Sequence, residues 1–227
     1  MQTVRLLSTL ALRGAVLRLA GQYEAATGVR IDADFAPTVG LLPRLRGGEQ
    51  ADIVILTREG LDDLAAEGAV VAASVVDLAR SYVGIAVKAG APHPDIATEA
   101  AFRASMLAAR SVAYSKIGAS GIYFAGLIER LGIAAEINVR ATITAGFTAE
   151  RLISDEADLA VQQISELKQV GGIEVVGPIP LALQTPAVFS AGRMVASEKP
   201  APADALLKYL ASPAVASLLI ETGLERP

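Results

Sequence analysis

The chain has 227 residues, a length that fits one large domain or two small ones. With 52% hydrophobic and 19% charged residues and a mean hydropathy of +0.46, it is a folding chain with a real core, which excludes disorder and polar low complexity. Twenty basic against 24 acidic residues, without a basic cluster, exclude a nucleic-acid footprint, and the lack of cysteine excludes thiolate nucleophiles, disulfides and Cys-ligated zinc or iron–sulfur sites.

The first segment, with Arg5 ahead of an apolar run over residues 6–12, has the outline of a secretory signal. The run is short, Arg13 and Arg18 interrupt the stretch beyond it, and no small-x-small cleavage site precedes the first amphipathic stretch. Residues 4–8 are therefore read as a buried strand and 14–27 as a helix stopped by Gly28. A strand over 29–35, a helix over 39–46, a buried strand over 53–56 and a helix over 58–67 complete a βαβαβ unit. On this reading the chain as it stands is expected in the cytoplasm, or in the periplasm if a signal has been removed.

Further on, an apolar strand over 83–88 leads through a stiff loop, Gly90–Pro94, into a helix capped by Thr98. His93, the only histidine, lies in that Pro-rich loop and is expected to be an exposed surface residue. Strands over 112–114, 139–143, 159–162 and 173–176 alternate with helices over 121–131 and 148–154, which makes a second α/β unit. After Pro180 the pattern changes. Residues 187–191 and 195–196 read as extended segments that pair antiparallel, followed by closing helices over 203–210 and 213–221, with Pro213 in a first helical turn. This tail is too short for a domain and is expected to pack on the first unit. No apolar run approaches the roughly 18 residues of a membrane span.

Two turns correspond. One strand leads into Arg13-Gly14-Ala15 and the other into Ser120-Gly121-Ile122, so each unit offers a polar strand end and a glycine at a helix start, where free N–H groups favour an anion.

The order and spacing of several short motifs extend this reading over almost the whole chain. They are Leu6-Leu7-Ser8-Thr9-Leu10-Ala11, Phe35-Ala36-Pro37-Thr38-Val39-Gly40, Gly48-Glu49-Gln50-Ala51-Asp52 before an apolar strand, Ser120-Gly121-Ile122-Tyr123, Ala160-Val161-Gln162-Gln163-Ile164-Ser165-Glu166 and Leu210-Ala211-Ser212-Pro213. In these the chain resembles the type II periplasmic binding proteins, in the branch similar to molybdate-binding proteins, a branch that also includes aconitate isomerase. The resemblance implies an α/β fold of two Rossmann-like lobes joined by two crossover strands: lobe I over 1–80 and 190–227, lobe II over 81–189, crossovers near 80–84 and 186–190, and a ligand cleft between the lobes.

By position, the resemblance makes Ser8, Thr9, Thr38, Ser120, Gly121, Gly146, Phe147 and Gln163 the ligand-binding candidates, with Gln163 where several molybdate binders place a tyrosine. Arg13 and Lys116, close to the two helix starts, depart from the neutral donors typical of oxyanion sites and suit carboxylates, Arg by bidentate pairing. The expected function is a binding protein for a small anion, either an organic di- or tricarboxylate or an oxyanion such as molybdate. It would need no metal or cofactor, and an ABC transporter permease would be its partner if it is exported. The alternative is an isomerase that moves the double bond of an unsaturated polycarboxylate by 1,3-proton transfer, with Arg13 as clamp and Lys116, Tyr114 or Glu166 as proton shuttle.

Overall fold

A computed structural model describes residues 2–227; Met1, at the start of the expected first lobe, lies outside them. The chain forms two compact units, one running to Ser81 and resuming over Ala187–Pro227, the other Tyr82–Pro186.

The first unit opens with β1 (Gln2–Ser8), α1 (Arg13–Thr27), β2 (Val29–Phe35), α2 (Thr38–Arg46), β3 (Ile53–Thr57), α3 (Arg58–Ala66) and β4 (Val76–Ser81). The second contains β5 (Val83–Lys88), α4 (Glu99–Ala108), β6 (Val112–Tyr114), α5 (Ala119–Arg130), α6 (Ala134–Val139), β7 (Ala141–Ile143), α7 (Glu150–Ile153), β8 (Leu159–Gln163), α8 (Ile164–Leu167) and β9 (Ile173–Pro178). The chain returns to the first unit with β10 (Ala187–Arg193), α9 (Pro200–Leu210) and α10 (Ala216–Glu221).

In the first unit the strand order is β2-β1-β3-β10-β4, with β1 parallel to β2 and β3, and β10 antiparallel to β3 and β4. Helices cover both faces, so successive side chains of a strand enter different cores and the strand reads as one apolar run. Leu6, Ile53 and Ile55 pack with Val16, Leu19, Leu206 and Leu219, while Leu7, Val54 and Leu56 pack with Leu41, Leu61 and Leu64. The second unit repeats the plan with the order β7-β6-β8-β5-β9, β6 parallel to β7 and β8, and β5 antiparallel to β8 and β9. Val112 and Tyr114 face Phe124 and Leu127, and Ala113 faces Leu152 and Leu167.

Three expectations are corrected. Residues 187–191 do not pair with 195–196; β10 lies between β3 and β4, because the returning chain completes a sheet already in place. Residues 139–143 are not one strand: Val139 closes α6 with its side chain 90% exposed, and only Ala141–Ile143 pairs with β6. Pro213–Val215 is a single 3-10 turn ahead of α10. Among the described residues no single helix is long and apolar enough to cross a membrane.

Candidate functional site

In a parallel α/β sheet the loops that leave the carboxyl ends of the strands gather at one edge, which is where such folds carry their ligands. In the first unit this edge joins the ends of β1, β2 and β3, with Ser8 in register with Phe35 and Ile55. The loops are pinned at once: Ala36 N–H donates to the Ser8 carbonyl at 3.1 Å, and Thr9 N–H to the Ile55 carbonyl at 2.9 Å. Ser8 and Thr9 are buried; Ser8 Oγ donates to the Thr9 carbonyl at 3.1 Å, and Thr9 Oγ1 accepts from Ala11 N–H at 3.5 Å. Thr38 Oγ1 accepts from Thr57 N–H at 3.1 Å. A threonine oxygen that accepts a backbone N–H keeps its own proton to donate, so Thr9 and Thr38 can serve the loop and an anion together. Arg13 opens α1 half-buried, its guanidinium carbon 5.9 Å from the centre of the Phe35 ring, close enough for a cation–π contact.

Thr38→Val tests the first of those two roles. It strands the Thr57 N–H and is expected to cost about 1–2 kcal/mol. Calorimetry should find the melting temperature lowered by roughly 2–8 °C for a chain of this size. An unchanged value would mean that the bond contributes nothing.

In the second unit the equivalent edge joins β6, β7 and β8. After β6 comes Ser115, which is buried and whose Oγ accepts from the N–H groups of Ile117 and Gly118, both at 3.3 Å. This turn delivers the chain to the start of α5. There Ser120 is 3% exposed, and its hydroxyl has no hydrogen-bond partner among the described residues. Gly121 packs so tightly on the turn that a Cβ built on it would lie 1.4 Å from the Ser115 carbonyl oxygen. Lys116 stands exposed on the same turn.

The next loop, residues 144–148, is held by a residue that the sequence pattern does not single out. Gln162, 3% exposed near the end of β8, accepts at Oε1 from Thr148 N–H at 2.8 Å and from Thr148 Oγ1 at 3.1 Å, and donates from Nε2 to the Gly146 carbonyl at 2.9 Å. Gln163 comes next, buried, in register with Val83. One turn on, in α8, Glu166 is also buried. Burial pushes its carboxyl up to about 8, against the opposing pull of a hydrogen bond from the Gln162 side chain.

Lys116 thus lies on the turn after β6, Ser120 and Gly121 at the start of α5, Gly146 and Phe147 on the loop after β7, and Gln163 and Glu166 at the end of β8 and in α8. Tyr114 is not on these loops: its ring packs edge-on against Phe124 with centroids 5.1 Å apart, and its hydroxyl donates to Asn138 Oδ1 at 2.5 Å, inside the core under α5 and α6. Ser115, Thr148 and Gln162 are additions that the sequence-based candidates lack. The paired amides at the end of an apolar strand were the available signal for Gln162, since strand alternation sends one of any two neighbours to each face. His93, exposed as expected, bonds Glu174 through Nε2 at 2.8 Å, away from these loops. Among the described residues no group of three or more His, Cys, Asp or Glu side chains is placed to hold a metal ion.

Known proteins share this architecture. An aconitate isomerase from a Pseudomonas species is 37% identical over 230 residues, covering 98% of this chain and 87% of that protein. The periplasmic molybdate-binding protein of Azotobacter vinelandii has 16% identity over 99% of both chains with a TM-score of 0.85. The sulfate-binding protein of Mycobacterium tuberculosis H37Rv has 13% identity over 100% of this chain and 87% of its own, with a TM-score of 0.78. At those identities the two structures establish the fold, which is of the type II periplasmic binding protein kind. The sequence pattern of the bacterial extracellular solute-binding proteins matches residues 4–225, nearly the whole chain, which therefore belongs to that family.

Proposed function

We propose that the protein binds a small unsaturated polycarboxylate through its strand-end donors and moves its double bond by 1,3-proton transfer, as an isomerase of the aconitate class. The observation that carries this reading is Glu166: a carboxyl group buried in α8, directly after the end of β8, whose pKa burial raises to about 8. A site that only held a polyanion would gain nothing from a further carboxylate. A group that takes a proton and returns it works best with a proton affinity near the ambient pH. The 37% identity to an aconitate isomerase across nearly the full chain supports the same reaction class.

The chemistry balances without an oxidant. A C–H bond breaks at the methylene next to a carboxylate, and its electron pair becomes the new double bond. The electrons of the old double bond take up a proton at the far carbon. Negative charge grows on the carboxylate oxygens as the proton leaves, and cations and N–H groups fixed near those oxygens stabilise it. Arg13 and Lys116 are cations suited to that task, and Ser8, Thr9, Thr38 and Ser120 are hydroxyl donors suited to carboxylate oxygens.

The test incubates the protein with cis-aconitate and separately with trans-aconitate and follows the vinyl proton signals by NMR. Interconversion from either side is expected. No interconversion between pH 6 and 9 would overturn the isomerase reading.

A second reading, solute binding without chemistry, is favoured by the hydroxyl-rich donor set and by the fold shared with molybdate- and sulfate-binding proteins. It carries a transporter permease as partner. It predicts a raised melting temperature with an oxyanion or an organic acid, by about 2.7 kcal/mol of stabilisation at a hundred times Kd, and no turnover.

A further inference from the structure

We propose that Gln162 is the positioning residue of the second-unit site, fixing the Gly146–Thr148 loop against the end of β8. The inference rests on the polycarboxylate reading above for what the loop serves, and on geometry alone for what Gln162 does. A primary amide has two acceptor sites and two donor hydrogens. Here three are engaged: Thr148 N–H and Thr148 Oγ1 on the oxygen, and the Gly146 carbonyl on the nitrogen. The residue is buried, so water offers no substitute for any of them. Its orientation is also determined, because turning the amide over would set a carbonyl against the Gly146 carbonyl and an NH2 against the Thr148 N–H.

The arrangement ties the loop after β7 to the end of β8. Gly146 and Phe147, both ligand-type positions, lie on the loop that Gln162 clamps at each end. Thr148 Oγ1 is also 3.3 Å from the Val161 carbonyl, which anchors the clamp to β8 itself. Glu166 is one turn further along and is the proton-transfer group. An ionised glutamate at 162 would have no hydrogen to give to the Gly146 carbonyl. Asparagine is too short to reach both sides, and methionine keeps the volume without the bonds.

The test compares the full-length protein with Gln162→Met, Gln162→Glu, Thr148→Val and Thr148→Ser. Hydrogen exchange is followed by mass spectrometry without ligand, and titrations with trans-aconitate are followed by calorimetry. Gln162→Met and Gln162→Glu are expected to speed exchange across residues 146–149 at least tenfold while the first-unit peptides are unchanged, and to weaken trans-aconitate binding at least tenfold. Thr148→Val should give a smaller change of the same kind, and Thr148→Ser, which keeps the hydroxyl, should restore wild-type behaviour. Unchanged exchange across the loop overturns the inference, and so does faster exchange with affinity within twofold of wild type. A wild-type protein that does not bind trans-aconitate overturns the polycarboxylate reading instead, and the exchange result then decides by itself whether Gln162 holds the loop.

Discussion

Replacing Glu166 by glutamine is expected to make the protein more stable at pH 8 and above while slowing turnover at least about a hundredfold. The direction of the shift sets the sign. Burial raises the Glu166 carboxyl from an ordinary 4.5 to about 8, so between those values the folded protein binds a proton that the unfolded chain has released. Stability that is fully present below pH 4.5 is lost as the pH rises through this window, and by pH 9 the folded protein must hold a buried carboxylate. Glutamine has the shape of the protonated acid and never ionises. At pH 5 the two proteins should melt at nearly the same temperature; at pH 9 the variant should be more stable by something on the order of 3 kcal/mol, or roughly 6–12 °C in melting temperature. Denaturation followed by circular dichroism at pH 5, 7 and 9 measures this directly. Parallel curves for the two proteins would mean that Glu166 is ionised in the folded state at neutral pH.

Activity should move the other way. Loss of a positioned acid/base group typically costs a factor of about 10²–10⁴. In the wild-type protein the ionised fraction of Glu166 should rise as the pH climbs toward the raised value of about 8, and the rate of proton abstraction should rise with it and level off above that value. Stability gained where activity is lost is the signature of a group kept in an unfavourable place for its chemistry. The acid limb of stability has a different origin. Arg44 bonds Asp34 and Glu49 and holds both carboxyls below their usual range, and Ser190 with Arg58 does the same for Asp77. Their contribution is present above the ordinary carboxylate range and is lost as the pH falls through the lowered values.

Local rules reach as far as interactions along the chain extend. The strands β1, β3, β5 and β8 are legible because a strand buried on both faces is a short apolar run, and α4 because Thr98 accepts from Ala101 N–H at 3.1 Å at its start. β4 is not legible, since Asp77 and Arg80 break its apolar pattern; it is a strand because it pairs with β10, more than a hundred residues away. The place of β10 is hidden for the same reason. At the candidate site, Ser8, Thr9, Thr38 and Ser120 stand out by their position at strand ends and helix starts. Gln162 and Thr148 do not, because what distinguishes them is a set of bonds between the ends of β7 and β8 that no spacing in the sequence encodes. Tyr114 has the look of a shuttle because it ends a strand. Alternation turns its ring to the core and gives the loop to Ser115 instead.

Gly121→Ala is expected to be among the most damaging single-methyl additions to the second unit. The new Cβ would lie 1.4 Å from the Ser115 carbonyl oxygen and 2.5 Å from its carbonyl carbon. Both obstacles are backbone, so no side-chain rotation relieves them, and either the Ser115–Gly118 turn or the start of α5 must move. Overpacking of this kind costs about 3 kcal/mol or more, a fall of roughly 6–12 °C in melting temperature. The same movement separates Ser115 from Ser120, so ligand affinity should fall with stability. Gly126→Ala is the internal comparison: it lies in the same helix, its Cβ would come no closer than 3.8 Å to the mobile end of Arg130, and alanine in a helix interior is worth about 0.5–1 kcal/mol over glycine. That variant should melt higher than the parent and bind with the parent's affinity. Opposite signs at two glycines five residues apart in one helix would show that position 121 is glycine because the turn carrying Ser115 and Lys116 is pressed against the helix start. Equal effects would mean that the turn yields, and that the close approach is not what places Ser120.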